Sequence, residues 1–186
     1  MALFTGKGDD GTTYAFDCDQ RFSKSSATAE ALGALDEVNS FLGFCKIRSK
    51  ESNYYLGSEY PSFEHIVHLL QEGLFVVQAE IAGAEKTIKK EQVKEMEDWI
   101  NAAEKDMPPI KTFFISGGTE IASSFDFART LARRAERRVV EVKERGDRKV
   151  GEHSLAFLNR LSSVLYALAR LSNHKFGIKE SAPKYN

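Results

Sequence analysis

The sequence predicts an all-α protein: a five-helix bundle, four of the helices long, entered through an irregular N-terminal loop. Three observations carry that expectation. Apolar residues recur at i, i+3, i+4 and i+7 over five separate stretches, the period of a helix with one buried face. Polar or glycine- and proline-marked breaks, among them Pro61, Pro108–Pro109 and Gly146, separate those stretches. Strand signals are nearly absent: only KTFFIS at 111–116 qualifies, and one short strand has nothing to pair with.

With 186 residues, 42% hydrophobic and 28% charged, the chain reads as one globular domain over 1–186. It divides into a loop at 1–25, the bundle at 26–176 and a flexible tail at 177–186. Net charge is −1, which argues against a nucleic-acid partner. Yet 129–149 holds nine Lys/Arg against four Asp/Glu, a concentration that points to a local anionic ligand. Cys18 and Cys45 belong to no CxxC or ligand cluster and are read as free thiols of a reducing compartment. No apolar run approaches the ~20 residues of a membrane span, and no targeting segment precedes the loop. The expectation is a cytoplasmic protein without a membrane partner.

Residues 1–25 have no helical period. Gly6, Gly8 and Gly11 alternate with Thr5, Asp9, Asp10, Thr12 and Thr13, a composition that makes tight turns with exposed backbone N–H groups. Together with Lys7 or Lys24 these can cradle phosphates, although no GxxxxGK[ST] motif is present. The first helix is predicted over 27–48, with Ala31, Leu35, Val38, Leu42 and Cys45 inward and the carboxylates Asp36 and Glu37 midway along it. The second is predicted over 63–84, capped by Ser62, with Phe63, Ile66, Val67, Leu70, Leu74, Val77 and Ile81 inward. Its small residues, Gly73 among them, allow close helix approach. His65 and His68 are ordinary helix residues, because the Glu-x-x-His pairs of a di-iron bundle are missing; no protein metal site is expected. The third helix, over 90–105, reads as a packing helix without chemistry.

The stretch FFISGGTEIASSFDFARTLARRAERR, 113–138, organises the rest. It is an apolar approach, a Gly-Gly turn and a helix that ends near Gly146. Ala128, Leu131, Ala132, Ala135, Val139 and Val142 form its buried seam. Arg129, Arg133 and Arg137 share another face, with Arg134 and Arg138 beyond it. Like charges four apart repel by a few tenths of a kcal/mol per pair, so the row wants an anionic partner. Glu136 can neutralise one arginine; a polyphosphate would suit the rest, because the guanidinium fork donates two parallel hydrogen bonds. The fifth helix, over 153–176, is apolar around much of its circumference, with Asn159 and Arg160 interrupting the run.

The segments TGKGDDGTT, ALGALDEVNSFLGF, GLFVVQAEIAG, FFISGGTEIASSFDFARTLARRAERRVV and FLNRLSSVLYALAR, in this order and at similar spacing, resemble the PduO-type ATP:corrinoid adenosyltransferases. The resemblance implies a homotrimer of five-helix bundles with active sites between subunits. It implies transfer of the 5′-deoxyadenosyl group of ATP to Co(I) of a reduced corrinoid, giving adenosylcobalamin and triphosphate. Mg²⁺ would be held mainly through the ATP phosphates. A corrinoid reductase and an adenosylcobalamin-dependent enzyme follow as further partners. By the same resemblance Thr5, Gly6, Lys7, Gly8, Thr12, Thr13 and Lys24 hold the triphosphate. Arg133, Arg134, Glu136, Arg137 and Asn159 contact the nucleotide, and Arg133, Arg129 and Asp36 are the catalytic candidates. Asp36 and Arg129 pair across a subunit interface on the corrinoid side, and Phe113 shields the lower face of cobalt. The chain departs from the family's pattern at Ser116, Asp126 and Ser163 and in the length of the loop before Lys24. The alternative is an ATP-binding helical sensor or regulatory protein without corrinoid chemistry.

Overall fold

The computed structural model describes residues 3–14, 21–57 and 59–185. Among them five helices follow in order: α1 Ala27–Ser52, α2 Phe63–Ala82, α3 Lys90–Lys105, α4 Glu120–Glu144 and α5 Glu152–Lys175. The all-α expectation holds. The expectation of a free thiol at Cys18 lies outside the described residues. At Cys45, complete burial pushes the thiol up to about 11.

Extended pairing occurs where it was not expected. Segment 111–116 is irregular, and a two-stranded antiparallel pair stands in the N-terminal loop instead: β1 Thr12–Thr13 against β2 Phe22–Ser23. Gly6 and Gly11, both in the left-handed region, shape the turns that lead into β1, and the Gly11 carbonyl accepts the Lys24 N–H at 3.0 Å beyond the end of β2.

Helix ends follow side-chain caps. Ser26, Ser62 and Thr119 each accept a backbone N–H three residues on, at 3.2 Å. α1 runs four residues past its predicted end. Ser49 is buried and returns its hydroxyl to the Cys45 carbonyl at 2.8 Å, and Asn53 closes the helix in the left-handed region. α2 stops two residues early because Gly83, with φ of 105°, takes the left-handed cap that glycine adopts without strain. α5 has only Gly151 at its cap position. Glu80 of α2 supplies the missing acceptor, taking the Gly151 N–H at 2.9 Å and the Ser154 hydroxyl. A carboxylate there also complements the positive helix end.

The predicted seams form the core. α1 packs on α2 and α4, α5 packs on α4 and α3, and the inward residues of α1, α2 and α4 are buried. The small residues of α2 serve close approach as expected at Gly73: an added Cβ would lie 2.4 Å from the Phe157 ring. Residues beyond α5 are tied back: Ser181 accepts the Ile115 N–H at 2.9 Å, and Glu180 is held by Arg170 and Asn173. The polar composition of that segment did not announce these contacts. No helix of the described residues is long and apolar enough to cross a membrane.

Candidate active site

The buried seam of α4, from Ala128 to Val142, is rich in alanine, so the helix lies close against its neighbours and its outward residues are held in place. Arg133 and Arg137 are exposed and Arg129 is half-buried. Arg134 pairs with Glu37, and Arg138 with Glu141 at 3.0 Å. Among the described residues no carboxylate lies within ion-pairing distance of Arg129, Arg133 or Arg137. The row of three that shares one face is therefore without a carboxylate partner among the described residues.

Glu136 does not neutralise an arginine. It turns towards α5 and accepts from Asn159 Nδ2 at 3.0 Å. Asn159 Oδ1 in turn accepts from Arg160 at 2.6 Å, and Arg160 Nε donates to Glu97 of α3 at 3.0 Å. This chain satisfies the polar pair in the apolar fifth helix and fixes the Asn159 amide beside the arginine row. It also corrects the reading of α3, which contributes Glu97 and Ile100 to a site wall.

Two recesses meet on this face. The larger is a cleft of about 1200 Å³ between α3, segment 107–116, α4 and α5, with Phe113, Phe114, Tyr166, Arg129 and Arg133 in its lining. The smaller, about 340 Å³, is formed by Arg133, Glu136, Arg137 and Asn159 with neighbouring α4 residues. Arg133 stands in both. Phe113 is 79% exposed at the cleft, an apolar ring held out to solvent at a site rim. Arg129 lies over the Tyr166 ring at 6.0 Å, and its Nε is buried without a hydrogen-bond partner among the described residues. Burial raises the Tyr166 hydroxyl above its ordinary value, the first of several influences that include Arg170 and Arg129.

The Gly-Gly turn that leads into α4 is required by its surroundings. Gly117 and Gly118 have φ of 132° and 106°, which side chains rarely adopt. A Cβ on Gly118 would also fall 2.4 Å from Asn173 Oδ1. That oxygen accepts the Thr119 N–H at 2.9 Å, so the turn and the start of α4 are locked to α5.

The N-terminal loop is organised separately. Lys24 Nζ donates to the Gly8 carbonyl at 2.8 Å. Asp10 accepts the Thr12 N–H at 2.9 Å and its hydroxyl at 2.7 Å. These bonds hold the Asp10 carboxyl below its ordinary range, with Arg21 adding to the effect. Arg21 reaches Thr12 Oγ1 at 2.5 Å, the Thr12 carbonyl at 3.0 Å and the Lys7 carbonyl. Thus Thr5, Gly6, Lys7, Gly8, Thr12, Thr13 and Lys24 are gathered in one loop. Among the described residues no hydrogen bond or ion pair joins that loop to Arg133, Arg137 or Asn159. Asp36 is exposed and does not meet Arg129 within the chain.

Two contributors escaped the sequence reading. Arg21 occupies an unpatterned loop, where no periodicity marks it. Arg170 lies between Ala169 and Leu171 in the apolar run of α5 and is 2% exposed. A charge at such a position must find partners, and that was the signal available.

The family model described as cobalamin adenosyltransferase matches residues 3–172. The chain is 38% identical over 181 residues to the corrinoid adenosyltransferase PduO of Citrobacter freundii, covering 94% of this chain and 50% of that protein. It is 34% identical over 185 residues to the corrinoid adenosyltransferase of Bacillus subtilis (strain 168), covering 96% and 90%. It is 30% identical over 181 residues to the corrinoid adenosyltransferase MMAB of Homo sapiens, covering 96% and 71%. The chain spans about half the length of the PduO relatives, 50% for Citrobacter freundii and 49% for Salmonella typhimurium. Among solved structures it resembles a variant PduO-type ATP:corrinoid adenosyltransferase from Lactobacillus reuteri complexed with cobalamin and ATP. That match has a TM-score of 0.86 and 26% identity, covering 99% of this chain and 97% of the other. With the match to the family model running through the loop and all but the end of α5, the chain belongs to the cobalamin adenosyltransferase family.

Proposed function

We propose that this protein is an ATP:corrinoid adenosyltransferase. One observation carries the proposal: an aromatic-walled cleft and a basic recess meet at Arg133. The cleft has the size and the apolar rings to take a corrinoid. The recess presents Arg137, Asn159 and Arg133 to a nucleotide. In the reaction, Co(I) donates an electron pair to C5′ of ATP, the Co–C bond forms, the C5′–O bond breaks and triphosphate departs with its charge. Co(I) is itself a strong nucleophile, so the chain has to position the reactants and stabilise the leaving group. Arg133 stands where both tasks meet. Mg²⁺ would travel on the phosphate oxygens.

The active form is a homotrimer with sites between subunits. Three features support this. The phosphate loop makes no bond to the arginine face of its own chain among the described residues. Asp36 and Arg129 each lack a partner carboxylate or cation there. Asp36, Phe44 and Ile47 fall on one face of α1 by helical spacing, and Phe44 and Ile47 are 42% and 61% exposed. An adjoining subunit would cover that face and bring Asp36 to Arg129, and would bring Thr5, Gly6, Lys7, Gly8, Thr12, Thr13 and Lys24 to the triphosphate. Phe113 would shield the lower face of cobalt, excluding an axial ligand and easing reduction to Co(I). Co(I) survives only under reducing conditions, which fits a cytoplasmic site and a reductase as partner.

The test is anaerobic. Protein, ATP, Mg²⁺ and chemically reduced cob(I)alamin are mixed and the Co(I) absorbance is followed. Conversion to adenosylcobalamin with release of triphosphate is expected. ATP binding without conversion would instead favour a nucleotide sensor.

A further inference from the structure

The aromatic wall of the cleft stands on no regular element. Phe113 and Phe114 lie on the irregular segment between α3 and α4, yet three of its backbone groups are anchored. The Ile115 N–H donates to the Ser181 carbonyl at 2.9 Å. The Gly117 carbonyl accepts from Asn173 Nδ2 at 2.8 Å, and the Thr119 N–H donates to Asn173 Oδ1 at 2.9 Å. All three anchors converge on one buried charge. Arg170 of α5, 2% exposed, donates to Asp126 of α4 at 2.5 Å and, with its other terminal nitrogen, to Glu180. Glu180 also accepts from Asn173 Nδ2 at 2.7 Å, and it is the neighbour of Ser181. The Arg170 guanidinium lies 6.0 Å from the Phe114 ring and 5.1 Å from the Tyr166 ring.

A buried ion cluster of this kind is a weak source of stability, because desolvation offsets most of the attraction. What it does supply is geometry: a buried guanidinium with two carboxylates accepts few arrangements of the chains that carry them. Here those chains are α4, α5 and the segment that clasps the aromatic approach. We propose that Glu180 is a positioning residue for adenosyl transfer: held by Arg170, it fixes residues 113–117 and so sets the Phe113 ring against the corrinoid. This rests on the reading of the cleft as the corrinoid site. Asp126 completes the cluster from the cleft side, which gives the carboxylate at that position a role.

The experiment uses the full chain and Glu180→Ala, with Glu180→Gln as the shape-conserving control. In the ligand-free protein, amide exchange at Ile115 and Thr119 reads the anchoring directly. Exchange is expected to be much faster in Glu180→Ala and intermediate in Glu180→Gln; removing the acceptor of the buried Arg170 should also lower the melting temperature of Glu180→Ala, an effect that Glu180→Gln, which keeps an acceptor oxygen, should largely reverse. In the assay, Glu180→Ala is expected to raise KM for cob(I)alamin and lower kcat, together on the order of ten- to a hundredfold, as for misplacement of a reacting group by about an ångström. KM for ATP should stay unchanged. Bound to cob(II)alamin and ATP, the variant should show less of the four-coordinate Co(II) spectrum. In a Phe113→Ala background the same change should add little, since both act through one ring. Unchanged exchange, a wild-type corrinoid KM and Co(II) spectrum, or full additivity with Phe113→Ala would overturn the proposal. A wild-type protein that fails to adenosylate, while exchange behaves as expected, would sink the reading of the cleft and leave the anchoring standing.

Discussion

The two sets of phosphate-binding candidates are held by different means. On α4, Arg133 and Arg137 project from a helix whose opposite seam is buried against α1 and α5. Their backbone is placed by the core, and their neighbours Arg134 and Arg138 are tied to carboxylates of the same chain. In the N-terminal loop, Thr5, Lys7, Thr12 and Lys24 stand on turns held by a handful of exposed hydrogen bonds, most of them made by Asp10 and Arg21. Under the proposed function, the core-held set is preorganised for the charge that develops during reaction. The loop-held set has little packing behind it, and its order rests on local polar bonds that water contests. Damage to the first should therefore appear in kcat, and damage to the second in nucleotide binding.

The largest expected effect breaks the core-held half. Arg133→Ala should lower kcat by on the order of 10²–10³, the usual loss for one charge-stabilising donor. Its melting temperature should stay at the wild-type value, because the side chain is exposed and has no ion-pair partner among the described residues. Normal turnover in that variant would remove Arg133 from the site. Next is Gly118→Ala, which meets both a positive φ and the Asn173 amide. Strain plus overpacking should cost about 2–4 kcal/mol, read by chemical denaturation, and should disturb the cleft with it.

Arg21→Ala sharpens the comparison from the other side. It should raise KM for ATP roughly tenfold, about 1.4 kcal/mol, with kcat and the bundle's unfolding midpoint nearly unchanged. A fall in kcat without a change in KM would show that the loop acts on the reaction itself. The pH dependence separates the halves further. Asp10 is held below its ordinary value by the Thr12 hydroxyl and N–H. Its contribution to loop order is thus complete above the ordinary carboxylate range and is lost as pH falls through the lowered value. Exchange at the Thr12 N–H, corrected for intrinsic rates, should rise only as pH falls below the ordinary carboxylate range while core amides of α4 stay protected. The smallest effect is expected for Arg138→Ala: its surface pair with Glu141 contributes at most about 0.5 kcal/mol, and turnover should not change.

The helices were legible because each has a seam. In α4 the spacing of Ala128, Leu131, Ala132, Ala135, Val139 and Val142 leaves one way to bury apolar surface, and Arg129, Arg133 and Arg137 must then face elsewhere. The partners of polar groups were not legible in the same way. Glu136 had arginines within one turn yet turned to Asn159, 23 residues on. α3 looked inert because its Glu97 acquires meaning only opposite Arg160 of α5. The end of α1 and the β1–β2 pair were missed for a related reason. The first carries a side-chain bond from Ser49 back to the Cys45 carbonyl, and the second is a pairing of only two residues on each side, neither of which a periodicity records.

By itself, then, the order of residues determined the all-α class, the inward faces, the Gly-Gly turn and the arginine row, since hydrophobic period and backbone sterics act over a few residues and repeat along the chain. The tertiary structure alone decided which arginines are paired and which are left open. It also set the meeting of the cleft and the recess at Arg133, and the clasp of Arg170, Asp126 and Glu180 beneath the aromatic wall. Those outcomes turn on distances of a few ångströms between groups far apart in sequence. Only the packing of one helix on another sets such distances.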